Sequence, residues 1–151
     1  MRLLIVEDER GKENNITNFI KDTFSDAVVE VRHSVTTGII AIRQLEFDYV
    51  LLDMSLPLFD FDDMKYSEGN EFETFGGNSV LDEIDRLEKN CKVIVVTAFD
   101  VLGEGDRQIA LSQIESQLNT LYPDNFIGTV FYKSSKIEWK KKLEQYLERG
   151  E

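Results

Sequence analysis

The chain has 151 residues, 42% of them hydrophobic, so it can bury the core of one globular domain without disulfides or a structural metal. Its 29 acidic and 17 basic residues give a formal net charge of −12, which argues against nucleic-acid binding because phosphates would be repelled. No apolar run is long enough to cross a bilayer, and the single Cys91 cannot form an internal disulfide, so we expect a cytoplasmic protein without a membrane partner.

Short apolar runs alternate along the chain with stretches in which apolar residues recur at helical spacing. The runs predict strands at 3–6, 27–31, 49–52, 93–96 and 129–132. The helical spacings predict five helices, marked by Ile16, Phe19, Ile20, Phe24; Val35, Ile39, Ile42, Leu45; Val80, Leu81, Ile84, Leu87; Leu111, Ile114, Leu118, Leu121; and Ile137, Trp139, Leu143, Tyr146, Leu147. Strands joined through crossover helices pair in parallel. The pattern therefore predicts an α/β fold with a doubly wound, five-stranded parallel sheet.

Residues 58–78 interrupt this alternation, because they mix acids with aromatics and show no sustained period. Loops of this length in compact domains tend to be functional or disordered. We interpret the segment as a partner-binding or lid loop, with a merely tolerated insertion as the alternative. Asn78 or Ser79 is predicted to cap the helix that follows.

Polar residues of distinct chemistry end four of the five predicted strands: Glu7 and Asp8, Asp53, Thr97, and Lys133. In a doubly wound sheet the carboxyl ends of the strands lie along one edge, so these side chains should meet around one crevice. Three carboxylates there repel one another unless a cation intervenes, and oxygen ligands favour Mg²⁺. The alternative is that each acid is solvated and simply begins a loop.

The same residues suit phosphoryl transfer. An ionised aspartate such as Asp53 is a competent nucleophile toward phosphorus and would form an aspartyl phosphate. Lys133 offers a point charge and Thr97 a hydroxyl donor, and each of these groups suits a phosphoryl oxygen. The strand ends therefore predict a magnesium-assisted site for phosphoryl chemistry.

Four motifs carry a family resemblance: LIVEDE at 4–9, VLLDMSLP at 50–57, VIVVTA at 93–98, and Lys133. In this order and strand context they resemble the response-regulator receiver domains of bacterial two-component systems. The resemblance covers essentially the whole chain, 1–151, as a single domain. It implies the flavodoxin-like strand order 2-1-3-4-5, with helices on both faces of the sheet.

The resemblance also implies roles for the site residues. Asp53 would be the phosphoacceptor and, with Asp8 and the carbonyl of Ser55, a ligand of Mg²⁺. Glu7 would assist the metal through water. Thr97 and Lys133 would hold the phosphoryl group, and Gly77 corresponds to the glycine that opens the third helix of the family.

The sequence departs from the family pattern at several positions. Ser134 stands where a proline usually follows the lysine, and Val130 stands where a switch aromatic is common. The insertion at about 58–78 and a lengthened fourth-helix region at about 100–125 would remodel the signalling face. Phe99, two residues after Thr97, would slow hydrolysis of the phosphorylated form by limiting water access.

We therefore expect a stand-alone receiver that accepts a phosphoryl group on Asp53 from a histidine kinase or phosphotransfer protein and signals by binding a downstream protein. Its own catalysis would be limited to magnesium-dependent self-phosphorylation and slow autodephosphorylation. The alternative is a receiver-like interaction module that binds a partner independently of phosphorylation. Two other classes are disfavoured. A haloacid-dehalogenase-like phosphatase would require an acid at the position of Ser55, and a flavin-binding protein would require a phosphate-binding loop at the position of Glu7 and Asp8.

Overall fold

The structure is a computed structural model that describes residues 1–60, 72–73, 76–98, 101–102 and 109–149. Its main sheet has five parallel strands: β1 (Arg2–Val6), β2 (Val28–Arg32), β3 (Tyr49–Leu52), β4 (Lys92–Thr97) and β5 (Phe126–Phe131). Their spatial order is β2-β1-β3-β4-β5. This confirms the predicted order 2-1-3-4-5.

Five helices connect and follow these strands: α1 (Arg10–Thr23), α2 (Val35–Gln44), α3 (Gly76–Arg86), α4 (Leu111–Leu121) and α5 (Glu138–Arg149). Alternate residues of the central strands feed two separate hydrophobic cores, as expected for a sheet that is buried on both faces. One core packs against α2, α3 and α4, and the other packs against α1 and α5. The doubly wound α/β architecture is therefore confirmed.

The strand register aligns the ends of the strands that carry the site. Val6 at the end of β1 is level with Leu52 at the end of β3, and Leu52 is level with Val95 of β4. The residues that leave these strands consequently begin at nearly the same height along one edge of the sheet. This alignment places Glu7 and Asp53 beside each other.

Two short antiparallel pairs lie outside the main sheet. Leu56–Pro57 pairs with Phe72–Glu73, and Val101–Leu102 pairs with Ile109–Ala110. Leu56–Pro57 is a separate two-residue strand after the end of β3. Within the predicted 58–78 insertion the structure describes 58–60, 72–73 and 76–78, and the other residues of the insertion lie outside the described residues, as does Phe99.

Helix α3 begins earlier than predicted. It starts at Gly76, so Asn78 and Ser79 lie within its first turn and do not cap it. The amide of Gly77 donates to the carbonyl oxygen of Met54 at 3.0 Å, which satisfies a helix N-terminal donor with the backbone that follows β3. Among the described helices, none has the length and apolarity needed to cross a membrane.

Candidate functional site

Three carboxylates converge where β1 and β3 end. The amide of Glu7 donates to the carbonyl oxygen of Arg32 at 3.0 Å, and the amide of Asp53 donates to that of Val6 at 3.1 Å, so both acids continue the pairing of the sheet. One oxygen each from Glu7, Asp8 and Asp53 lies within 4.8 Å of the others. Glu7 and Asp53 are buried, with 2% and 6% of their surface exposed, whereas Asp8 is half-buried.

This crowding makes ionisation of Glu7 and Asp8 unfavourable. Burial raises the pKa of Glu7, and the negative charge of Asp53 raises it further, although Lys12 partly offsets both effects. Burial and the charge of Asp53 also raise the pKa of Asp8. Added positive charge therefore stabilises the ionised form of the cluster.

The side chain of Lys12 supplies one such charge from the first turn of α1. Its Nζ lies 2.6 Å from Oε2 of Glu7 and 3.4 Å from Oδ2 of Asp53, and the side chain is 3% exposed. The same nitrogen donates to the carbonyl oxygen of Val96 at 2.8 Å. Burial alone would lower the pKa of Lys12, but the charges of Asp53 and Glu7 outweigh it and leave that pKa raised. Lys12 is therefore a buried ammonium bound to both strand ends.

The local sequence explains how Lys12 reaches the cluster. Glu9 caps α1, because its carboxylate accepts the amide of Gly11 at 2.9 Å and the amide of Lys12 at 2.8 Å. Helical side chains lean toward the N-terminus of their helix, so a residue in the first turn after β1 points back toward the strand end. Lys12 is not among the site residues predicted from the sequence. Its position four residues after Asp8, in the first turn of a helix that follows an acidic strand end, is the signal that could have identified it.

The donor set fits a divalent cation such as Mg²⁺. Three carboxylates facing one ammonium leave two negative charges uncompensated when all four groups are ionised. Ser55, named above as a carbonyl ligand, is half-buried, and its amide donates to Oδ1 of Asp53 at 3.3 Å. The chain therefore turns tightly around the Asp53 carboxylate, and carboxylate and carbonyl oxygens are the ligands that Mg²⁺ prefers.

The two residues predicted to bind the phosphoryl group, Thr97 and Lys133, differ in burial. Thr97 is fully buried at the end of β4, and its carbonyl oxygen accepts the amide of Tyr132 at 2.7 Å. Lys133 lies two residues beyond β5 with an exposed side chain. In the described part of the chain, the lysine within 4.0 Å of the Asp53 carboxylate is Lys12 and not Lys133.

The aromatic side chains near the site have distinct environments. Val130, at the position where receivers often carry a switch aromatic, is fully buried, whereas the neighbouring Phe131 is 43% exposed. Tyr132 is buried, and its ring centroid lies 5.9 Å from the Nζ of Lys12. The amide group of Asn15 donates to the Tyr132 hydroxyl at 2.7 Å, which fixes the ring beside α1.

Comparison with known proteins gives relatives of similar length, whereas no family model matches the chain. The uncharacterized protein y4jR of Sinorhizobium fredii is 29% identical over 140 residues, which span 93% of this chain and 92% of that protein. The Detocs response regulatory protein DtcB of Enterobacter cloacae is 28% identical over 144 residues, which span 95% of each chain.

Solved structures of receiver domains share the fold. A CheY-like receiver domain protein from Methanospirillum hungatei superposes with a TM-score of 0.64 at 17% identity, covering 99% of this chain and 94% of that one. The receiver domain of the Pseudomonas aeruginosa sensor histidine kinase PA1611, solved with magnesium in its active-site cleft, gives 0.62 at 18% identity, covering 98% and 94%. The response regulator TrrA of Thermotoga maritima, solved with Mg²⁺ and BeF, gives 0.61 at 19% identity, covering 95% and 96%. These similarities confirm the fold that the sequence motifs predicted.

Proposed function

We propose that this chain, which has the fold of response-regulator receiver domains, accepts a phosphoryl group on Asp53 and signals by binding another protein. The observation that carries the proposal is the environment of Asp53. Its carboxylate ends a buried strand, lies within 4.8 Å of two other carboxylates and has an ammonium 3.4 Å away. A solvated acid that merely begins a loop has no need of such surroundings.

The chemistry follows from the carboxylate as nucleophile. An oxygen of Asp53 attacks phosphorus, an O–P bond forms, and the P–N bond of a donor phosphohistidine breaks. The electron pair of that bond goes to the released imidazole, which takes up a proton. The buried hydroxyl of Thr97 would donate to a phosphoryl oxygen, as the family resemblance implies. The same resemblance assigns Lys133 to the phosphoryl group, and that assignment stays a prediction.

A divalent cation would complete this site. Asp8, Asp53 and the carbonyl of Ser55 would hold Mg²⁺ directly, with Glu7 assisting through water. When bound, Mg²⁺ supplies positive charge to the phosphoryl oxygens. Support comes from the uncompensated acidic cluster of this chain and from the magnesium in the related P. aeruginosa and T. maritima structures.

The partners follow from the proposed reaction. The donor would be a histidine kinase or a phosphotransfer protein, and the output would be a protein partner in the cytoplasm. The name of DtcB describes a response regulatory protein, which supports this class of role. We further propose magnesium-dependent self-phosphorylation from small acyl phosphates and slow autodephosphorylation as the activities of the isolated chain.

The competing function is a receiver-like module that binds its partner regardless of phosphorylation. The observation in its favour is Val130, which is fully buried where receivers often carry a mobile aromatic. Such a module would keep the fold and the acidic cluster without taking up phosphate. The two functions differ in one simple measurement, which is the mass of the protein after exposure to a phosphodonor.

The test uses acetyl phosphate with intact-protein mass spectrometry. We expect one phosphoryl group to be added in the presence of Mg²⁺ and none in EDTA. Asp53→Asn should abolish the addition, whereas Asp26→Asn, at an exposed acid between α1 and β2, should leave it unchanged. An unmodified parent protein under saturating donor and Mg²⁺ would contradict the proposal and support the non-switching module.

A further inference from the structure

The Lys12 ammonium supplies a positive charge to the carboxylates proposed above as the magnesium site. Its Nζ lies 2.6 Å from Oε2 of Glu7 and 3.4 Å from Oδ2 of Asp53, and the side chain is 3% exposed. The other oxygen of Asp53 is engaged as well, since Oδ1 accepts the amide of Ser55 at 3.3 Å. Both oxygens of the Asp53 carboxylate therefore have a partner within the protein, and a cation that binds Asp53 meets the ammonium there.

The ammonium is anchored by a third contact that does not involve the acids. Its nitrogen donates to the carbonyl oxygen of Val96 at 2.8 Å, and Val96 is level with Val130 in the ladder between β4 and β5. An ammonium has three N–H donors, so Lys12 can keep this bond and its contact with Glu7 when its contact with Asp53 is lost. The positive charge consequently stays close to the acidic cluster when another cation binds Asp53.

Two cations that share one cluster of carboxylates weaken each other's binding. Like charges a few ångströms apart repel, and the repulsion is stronger where water is excluded. Lys12 also neutralises one of the three carboxylate charges, so the cluster attracts a second cation with less negative charge than the acids alone would provide. The effect is reciprocal by thermodynamic linkage, because a bound cation weakens the interaction of Lys12 with the acids by the same factor.

We propose that Lys12 sets the magnesium affinity of this site by competing with Mg²⁺ for Asp53 and Glu7. This inference rests on the magnesium-assisted function proposed above. Lys12 stabilises the acidic cluster in its own right and thereby weakens Mg²⁺ binding, so the site binds the cation only at a correspondingly higher concentration. Lys12 acts through its charge and not as a ligand, since an ammonium has no lone pair to offer a metal.

Lys12→Met tests this inference, because methionine has a similar length and no charge. The measured quantity is the free energy of urea unfolding in EDTA and at a series of Mg²⁺ concentrations at constant ionic strength. Its rise with Mg²⁺ gives the dissociation constant, whatever the stability of the protein in EDTA. The titration is run at about pH 8 to favour ionised carboxylates, since the cluster raises the pKa values of Glu7 and Asp8. We expect Lys12→Met to bind Mg²⁺ at least about tenfold more tightly than the parent.

Lys21→Met is the control, because it removes an exposed charge from the same helix. Its dissociation constant for Mg²⁺ should stay within about twofold of the parent value, since solvent screens an exposed charge. A purely structural role of Lys12 would lower the free energy of unfolding equally at every Mg²⁺ concentration and would leave the dissociation constant unchanged. If Lys12→Met is unfolded in EDTA, Mg²⁺ should restore its fold, and a circular dichroism spectrum that shows no recovery would overturn the inference.

The outcomes separate this inference from the function on which it rests. A Lys12→Met protein that binds Mg²⁺ no more tightly than a parent that is phosphorylated would overturn the inference alone. Tighter Mg²⁺ binding by Lys12→Met, with a parent that takes up no phosphoryl group, would support the competition and overturn the phosphoacceptor function. A parent that binds no Mg²⁺ would overturn both.

Discussion

Glu7 and Lys12 form a buried ion pair in which Oε2 and Nζ lie 2.6 Å apart and each side chain is 3% exposed. The pair joins the end of β1 to the first turn of α1. It differs from a surface ion pair, because water does not screen it and neither partner can be resolvated if the other is removed. The acidic cluster therefore depends on Lys12 for its stability.

Removal of this ammonium should destabilise the fold. We expect Lys12→Met to lower the free energy of unfolding by about 3 kcal/mol at neutral pH in EDTA, because a buried ion pair loses one partner. Added Mg²⁺ should stabilise the variant more than the parent, since the cation replaces part of the lost charge. Urea unfolding followed by circular dichroism measures both effects.

Lys21→Met is the matched control, because Lys21 is exposed in the same helix. Its free energy of unfolding should stay within about 0.5 kcal/mol of the parent. Equal stabilities of the Lys12 and Lys21 variants would contradict the structural importance of the buried ammonium.

Replacement of Gly77 by alanine, which adds the smallest side chain, should destabilise the protein. An added Cβ would lie 2.7 Å from Sδ of Met54, 2.9 Å from the carbonyl oxygen of Asp53 and 3.0 Å from Cα of Met54. We expect Gly77→Ala to cost about 1–3 kcal/mol of stability, although alanine is normally the better helix former, because two of these contacts are to backbone atoms.

Ser79→Ala is the control, as Ser79 is an exposed residue of α3. Thermal unfolding of both variants gives the comparison. A Gly77→Ala protein that is more stable than the parent would show that helix propensity outweighs the close approach of α3 to the backbone of Asp53.

Cys91 should be chemically inert in the folded protein. It is buried just before β4, and burial raises the pKa of its thiol to about 11. We expect almost no reaction with a disulfide reagent at about pH 8, where an unperturbed thiol with a pKa of about 8.5 reacts readily. The thiol should become reactive when the protein is unfolded in urea.

The same shift links stability to pH. Below about pH 8.5 the thiol is protonated in both the folded and the unfolded state. Above that pH, ionisation of the thiol stabilises the unfolded state, while the thiol of the folded state stays protonated. Stability should therefore fall as pH rises from about 8.5 toward 11, and this part of the fall should be absent in Cys91→Ala. Indistinguishable pH profiles for the parent and the variant would contradict the shift.

Much of the fold can be predicted from local sequence patterns. Strands such as β3 and β4 are apolar throughout because both of their faces are buried, and the helices between them carry apolar residues at helical spacing. The convergence of Glu7, Asp8 and Asp53 also follows from sequence, since parallel strands end along one edge.

Other features depend on tertiary packing and cannot be predicted from local sequence patterns. The early start of α3 at Gly76 depends on the hydrogen bond that the amide of Gly77 donates to the carbonyl oxygen of Met54, a residue on the far side of positions 58–75. The burial of Lys12 depends on how α1 lies across the sheet, and a lysine in an amphipathic helix usually lies in solvent. Leu121 completes the apolar spacing of α4 and is nevertheless 60% exposed.

The most direct test of the central proposal is to identify the residue that carries the phosphoryl group. Protein treated with acetyl phosphate and Mg²⁺ is reduced with borohydride, which converts an aspartyl phosphate to a stable alcohol, and is then digested and sequenced by tandem mass spectrometry. We predict a single modified residue, Asp53. Modification at any other residue, or none in a folded and magnesium-loaded protein, would contradict the proposed role of this site.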